Sequence, residues 1–182
     1  MVAKTYDRAF AAMIAHEGGA RYTNIPEDAG GPTKFGVTQA ALAAWLGRRA
    51  SIDDVKALTL DAVKPIYRAN YANVVRFDDL PAGLDYLVFD WAVNSGPRRA
   101  AKELQICLGV EADGYIGPKS IAAARAQCAA GAAALINRYV DRRVAFYRGL
   151  IAAKPNQRKF EKGWMRRAAE SRALALKLAK EG

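Results

Sequence analysis

Glu17 and Asp28 are the residues whose type and spacing best suit chemistry on a substrate. Glu17 ends an amphipathic segment and is followed at once by Gly18-Gly19. Asp28 comes eleven residues later and Thr33 five after that, in a stretch rich in glycine and proline. A carboxyl on the last turn of a helix is held by a rigid element yet faces what lies beyond the helix end. There the negative end of the helix dipole favours the protonated form, which is the form a general acid uses. Paired with a second carboxylate, such an acid can break a glycosidic bond: one group protonates the leaving oxygen, the other activates water or attacks carbon from the opposite face. Glu17 and Asp28 are expected to supply that pair, and Thr33 a hydroxyl to hold the water.

Other chemistries find fewer materials. The chain has no GxxxxGK[ST] phosphate loop, no GxGxxG after a strand, no CxxC and no HExxH. His16 is the single histidine and has no serine near it, so a Ser-His-Asp relay lacks its members. No metal and no organic cofactor is expected. Cys107 and Cys128 are too few for a disulfide framework and fit no metal-ligand spacing, and they read as two half-buried thiols.

The elements that must position Glu17 follow from periodicity. Tyr6, Phe10, Met13 and Ile14 give one apolar face to a helix from about Lys4 to Glu17, stopped by the glycines. Gly18 to Thr38 then reads as a long loop or a small irregular hairpin. Thr38, Ser51 and Thr59 are N-caps for short helices through Leu46, over Ile52–Leu58 and over Leu60–Tyr71, the last expected to kink or stop at Pro65. Pro81–Ser95 reads as a buried apolar helix. Arg98–Leu108, Lys119–Cys128, Leu135–Ala153 and Arg158–Lys180 continue the helical pattern, with a loop at Gly109–Pro118. The fold class is therefore mainly α, with a small irregular β or loop element near residues 20–37.

Length and charge bound the partners. At 182 residues with 52% hydrophobic content, the chain makes one domain or a domain with a small appended module. No run approaches the ~18–20 apolar residues of a membrane span. Lys4, Asp7 and Arg8 interrupt the start of the chain, so no signal peptide is expected. Residues 1–91 hold 10 Lys and Arg against 11 Asp and Glu, whereas residues 92–182 hold 18 against 7. A second half of net charge +11 favours an anionic partner, which could be nucleic acid, anionic lipid or an acidic wall polymer.

The stretch H-E-G-G-A-R-Y-T-N-I-P-E-D-A-G-G-P-T-K-F-G-V-T resembles the signature of glycoside hydrolase family 108, the N-acetylmuramidase endolysins, which runs E-G-G-Y, a spacer, then D-P-x-D-x-G-G-x-T-x-x-G-[IV]-T. Here Ala20 and Arg21 lengthen the spacer, Tyr22 takes the place of the motif's Tyr, and Ile25 stands where its first Asp would be. The resemblance implies a lysozyme-like helical fold. It also implies that Glu17 is the catalytic acid on the β-1,4 bond between N-acetylmuramic acid and N-acetylglucosamine. The Glu, Asp, Thr order is similar to that of tailed-phage lysozymes, which implies an inverting outcome. Residues 95–120, S-G-P-R-R-A-A-K-E-L-Q-I-C-L-G-V-E-A-D-G-Y-I-G-P-K-S, resemble the core of small helical peptidoglycan-binding modules.

Together these readings make residues 1–94 a catalytic region and 95–182 a basic, wall-binding region packed on it. Bacterial peptidoglycan is the expected partner, nucleic acid is not, and the chain is expected to be monomeric. Tyr22 and Phe35 either stack on sugar rings or pin the loop. Asn94 either binds sugar or caps its helix, Trp91 belongs to the core, and the Arg158–Arg172 run reads as a solvated face. A phage-type enzyme of this kind would wait in the host cytoplasm until release and act at the wall. A lytic transglycosylase with one Glu, or a non-catalytic wall-binding or secretion-associated protein, are the rival readings.

Overall fold

The computed structural model describes residues 2–17, 19–24 and 31–182. The element order is α1 (Val2–His16), three short strands β1 (Tyr22–Thr23), β2 (Thr33–Lys34) and β3 (Val37–Thr38), then α2 (Gln39–Leu46), α3 (Ile52–Lys56), α4 (Leu60–Tyr67), α5 (Leu84–Ser95), α6 (Pro97–Leu108), α7 (Pro118–Ala153) and α8 (Glu161–Glu181). Two compact units result: Asp7–Asn70, and Met1–Tyr6 with Tyr71–Gly182.

In the unit of residues 7–70, local chemistry fixes the short elements. The Thr38 hydroxyl accepts from Ala41 N–H at 3.2 Å and the Thr59 hydroxyl from Ala62 N–H at 3.2 Å, each starting a helix as expected. Ser51 and Asp54 form a reciprocal capping box at 3.0 and 2.7 Å. The Arg48 guanidinium grips the same carboxylate at 2.9 and 3.1 Å and, with Ser51, holds it well below the usual carboxylate range. Pro65 does not stop α4. The helix runs through it to Tyr67 and then widens into a π-helical stretch, Arg68–Ala72. A proline inside a helix removes one ladder donor, and the wider turn that starts three residues later is where regular α geometry ends. The three strands form an antiparallel sheet in the order β1-β2-β3.

In the other unit, α5 is buried from Leu84 to Ala92 on every face, as an apolar helix enclosed by α6, α7 and α8 must be. It begins at Leu84 rather than Pro81, because Gly83 (φ 84°) turns the chain where its Cα lies against the Ala175 carbonyl and Ala179 of α8. A side chain at Gly83 would collide with that backbone. Tyr6, Phe77 and Phe89 form an aromatic cluster with centroids 5.6–5.9 Å apart. The two helices expected over 119–128 and 135–153 are both present, as the two parts of α7 on either side of a break at Gly131 (φ 153°). The last helix starts at Glu161, after a 3-10 turn over Pro155–Phe160. Cys107 and Cys128 are free, half-buried thiols, and burial pushes Cys107 up to about 11.

Asp90 sits fully buried in α5, where its carboxylate accepts from Arg143 of α7 at 2.6 Å, from Arg167 of α8 at 2.9 Å and from Ser171 at 3.2 Å. Burial alone would push this carboxyl up, but the two guanidiniums outweigh it and hold it at about 2. Asp85, in the first turn of the same helix, has no cation partner among the described residues. Burial pushes it up to about 7, against hydrogen bonds from the Tyr86 and Gly83 N–H groups.

Asp90→Asn leaves two buried cations without their anion and is expected to lower the unfolding free energy by about 3–5 kcal/mol, measured by denaturant titration; a loss under ~1 kcal/mol would mean the arginines find water instead. The two carboxyls act on pH in opposite directions. The folded-state value of Asp90 lies below the unfolded ~3.9, so its share of stability is present above about pH 4 and lost as pH falls toward about 2. That of Asp85 lies above the unfolded value, so its share is present below about pH 4 and lost as pH rises through about 7. Asp85→Asn is therefore expected to stabilise the protein at pH 8 relative to pH 4 by about 2–4 kcal/mol. Parallel stability curves for variant and parent over that range would contradict this assignment.

Candidate active site

Glu17 closes α1. Its N–H donates to the Met13 and Ile14 carbonyls at 3.3 and 3.2 Å, and Gly19 N–H returns to Ile14 at 3.1 Å, so the backbone carrying the carboxyl is tied to the last helical turn. Glu17 itself is half-buried. Beside it lies the two-residue turn Phe35–Gly36 between β2 and β3, whose register pairs Lys34 with Val37 and Thr33 with Thr38. Both turn residues have positive φ, 52° and 73°, the left-handed pair that suits a right-twisted hairpin.

Gly36 is required for contact as well as for its φ. A Cβ built there would stand 3.6 Å from the Cβ of Glu17 and would fall on the Tyr67 hydroxyl. That hydroxyl is buried and donates to the Phe35 carbonyl at 2.9 Å, and the Tyr67 ring packs on Phe10 of α1 at 5.8 Å. The end of α1, the hairpin turn and α4 thus meet around Glu17. Phe35 is buried and pins the turn, so of its two readings the structure supports the structural one.

Thr33 lies in the central strand, and its hydroxyl donates to the Gly31 carbonyl at 3.1 Å. Tyr22 is half-buried in β1, opposite Lys34, with the Lys56 ammonium 6.0 Å from its ring centre. Lys34 in turn donates to the Lys56 carbonyl at 2.6 Å. Sequence spacing had joined Asp28 to Glu17 and Thr33, but Asp28 and Ile25 lie outside the described residues. Among the described residues no group of three or more His, Cys, Asp or Glu gathers where a metal ion could sit.

Asn94 belongs to the other compact unit. It does not cap its helix, a role taken by Gly96, whose N–H reaches the Ala92 carbonyl at 2.9 Å. Instead its Oδ1 accepts from the Tyr147 hydroxyl at 2.5 Å and from Ser95 Oγ at 2.9 Å, and Tyr147 accepts from Arg143 at 2.8 Å. Reading the Arg158–Arg172 run as a solvated face is wrong at Arg167, which is buried against Asp90. The signals were an aspartate inside an apolar helix and the spacing Tyr139, Arg143, Tyr147 along α7, which puts Arg143 on a buried face.

A helical protein with one small antiparallel sheet, and a carboxyl held at the end of its first helix against the hairpin turn, is a mainly α, lysozyme-like fold. Residues 10–96 match the family model described as Glycosyl hydrolase 108, and residues 99–169 match one described as a Predicted Peptidoglycan domain. The solved structure of Brucella abortus SagA is similar, with a TM-score of 0.80 and 42% identity over 97% of this chain and 96% of that one. No curated protein matches. The chain belongs to glycosyl hydrolase family 108 and carries a peptidoglycan-binding-like domain. It is a glycoside hydrolase, and peptidoglycan is its partner. The two family matches divide between residues 96 and 99, whereas the compact units divide inside α1 and after Asn70. No helix among the described residues is long and apolar enough to cross a membrane.

Gly36→Ala forces the Tyr67 hydroxyl away from the Phe35 carbonyl and strains the turn. Unfolding free energy is expected to fall by about 2–4 kcal/mol. Clearing of a peptidoglycan suspension is expected to slow by at least roughly tenfold. A variant that clears at the parental rate would show that this turn does not support the site.

Proposed function

We propose that the chain is an N-acetylmuramidase, hydrolysing the β-1,4 bond between N-acetylmuramic acid and N-acetylglucosamine with Glu17 as general acid. The observation that carries this reading is the seating of Glu17: tied to the last turn of α1 and set against a hairpin turn that leaves no room for a side chain at Gly36. A general acid has to be held in place while its proton moves, and a carboxyl on a closed helix end meets that demand better than one on a free loop. Asp28 is assigned as the second carboxylate, with Thr33 beside the attacking water, in an inverting reaction. The Gly31 carbonyl takes the proton of the Thr33 hydroxyl, so Thr33 would serve that water as an acceptor.

Tyr22 and Asn94 are assigned to sugar contact. In the same reading residues 1–94 carry catalysis and residues 95–182 bind the wall. The protein is a monomeric, bacteriolytic, phage-type enzyme that waits in the host cytoplasm and acts at the cell wall after release. Family membership and the basic second half support that reading.

The test is digestion of purified peptidoglycan by the parent and by Glu17→Gln, with new reducing ends counted and the terminal sugar identified by mass spectrometry. Hydrated N-acetylmuramic acid ends are expected from the parent, with the rate for Glu17→Gln lower by at least roughly a thousandfold. Terminal 1,6-anhydro sugars would replace hydrolysis by lytic transglycosylation. An active Glu17→Gln would remove Glu17 from the chemistry.

A further inference from the structure

Asn94 is held in a way that an incidental polar residue is not. Arginine carries only donors, so the Tyr147 oxygen must accept from Arg143 Nε at 2.8 Å, and the single phenolic proton is left for another acceptor. That acceptor is Asn94 Oδ1 at 2.5 Å, which also accepts from Ser95 Oγ at 2.9 Å. With Oδ1 supplied twice, the orientation of the amide is fixed and its NH2 group turns the other way. Among the described residues Nδ2 has no protein partner. Asn94 itself is half-buried.

Behind Asn94 the chain of contacts is rigid. Tyr147 is 1% exposed and lies stacked on Trp164 with centroids 4.9 Å apart and planes 17° from parallel. Arg143, also 1% exposed, is anchored by Nη1 to Asp90 Oδ2 at 2.6 Å. Burial raises the Tyr147 phenol above its ordinary range, which keeps its proton available to Asn94. Three successive short bonds therefore run from a buried carboxylate to the amide of a half-buried asparagine.

We propose that Tyr147 is a positioning residue for glycan recognition: it fixes the Asn94 amide so that Nδ2 donates to an uncharged acceptor oxygen of the sugar chain, a carbonyl or a hydroxyl. This rests on the muramidase reading for the identity of the glycan. It adds a residue of α7 to recognition by a residue of α5. Asn94 touches the glycan, Tyr147 acts through Asn94, and Arg143 acts through Tyr147. A neutral, pre-oriented donor loses little entropy on binding, and its worth is that of one hydrogen bond to an uncharged partner.

The experiment measures KM and kcat on a soluble tetrasaccharide of alternating N-acetylglucosamine and N-acetylmuramic acid for the parent, Tyr147→Phe, Asn94→Ala and the double variant. The Kd for the same tetrasaccharide is measured with each change placed in a Glu17→Gln background. Tyr147→Phe and Asn94→Ala are each expected to raise KM and Kd roughly three- to tenfold with kcat within about twofold, and the double variant to be no worse than Asn94→Ala alone. Tyr139→Phe is the control. It removes another buried hydroxyl of α7, bonded to the Ala100 carbonyl at 3.0 Å, and is expected to lower the Tm while leaving KM and Kd at parental values. Tyr147→Phe with an unchanged Kd, effects that multiply in the double variant, or a silent Asn94→Ala would each overturn the proposal. If the parent binds the tetrasaccharide but releases no new ends, the muramidase reading fails while the Kd series still decides on Tyr147. A parent that does not bind it overturns both.

Discussion

Asp90 is an aspartate in the middle of a helix that water does not reach, and much of the larger unit is arranged around the need to neutralise it. A lone carboxylate at that depth would cost more than a small domain's net stability. Arg143 from α7 and Arg167 from α8 meet it from two directions, so the pairing fixes the positions of both helices against α5. Two cations on one anion leave an excess positive charge inside. Two buried donors, Arg143 Nη2 and Trp91 Nε1, have no partner among the described residues, and the Arg143 guanidinium lies 5.8 Å from the Trp91 ring centre. Apolar packing at this position would be as stable or more so. What the ionic cluster supplies instead is direction: Arg143 is held so that its Nε faces Tyr147, and Tyr147 so that its proton faces Asn94.

The unit of residues 7–70 is held together by other means. Its strands are two residues long and its helices mostly short, too short for regular packing to fix them. Caps, one capping box and a left-handed turn do that work within a few residues of sequence. The contact that crosses the unit is the Tyr67 hydroxyl on the Phe35 carbonyl, with Gly36 alongside. Glu17 is placed by this arrangement because its own helix end is closed by backbone hydrogen bonds and its Cβ abuts the turn. A site built on local turn chemistry is sensitive to single residues, while the larger unit draws on a broad apolar core.

That difference explains what could be read from the sequence. Thr38, Ser51 and Thr59 were legible as caps because capping is decided within three residues, and α1 was legible from the recurrence of Tyr6, Phe10, Met13 and Ile14. Glu17 stood out because a helix end and two glycines flank it. Tyr67 and Gly36 did not, because their meeting spans 31 residues and no local rule reports it. Arg167 was misread for the same reason. On its own helix it looks like one more cation in a basic run, and only Asp90, 77 residues earlier, makes it internal. Pro65 shows the opposite case: the local rule asked for a kink or a stop there, and the helix, with Val63, Ile66 and Tyr67 buried, runs two residues past it before regular α geometry ends.

The formal charge of the second half needs the same correction. Arg143 and Arg167 face Asp90, Arg99 and Arg142 share Glu103, and Arg172 meets Asp141, so these cations are neutralised or shared within the fold. A count of charges therefore overstates what the surface offers an anionic partner. The cations that remain exposed without an ion pair among the described residues include Arg158, Lys159, Lys162 and Arg166, close together around the start of α8. Phe160, 45% exposed, lies among them with the Lys159 ammonium 5.1 Å from its ring centre. Long-range attraction to a polyanion comes from such free surface charge and weakens as salt rises. The buried arginines act through the orientation they impose, which salt barely touches. In one half of one chain the same residue type thus serves two separable physical ends, and the charge total alone distinguishes neither.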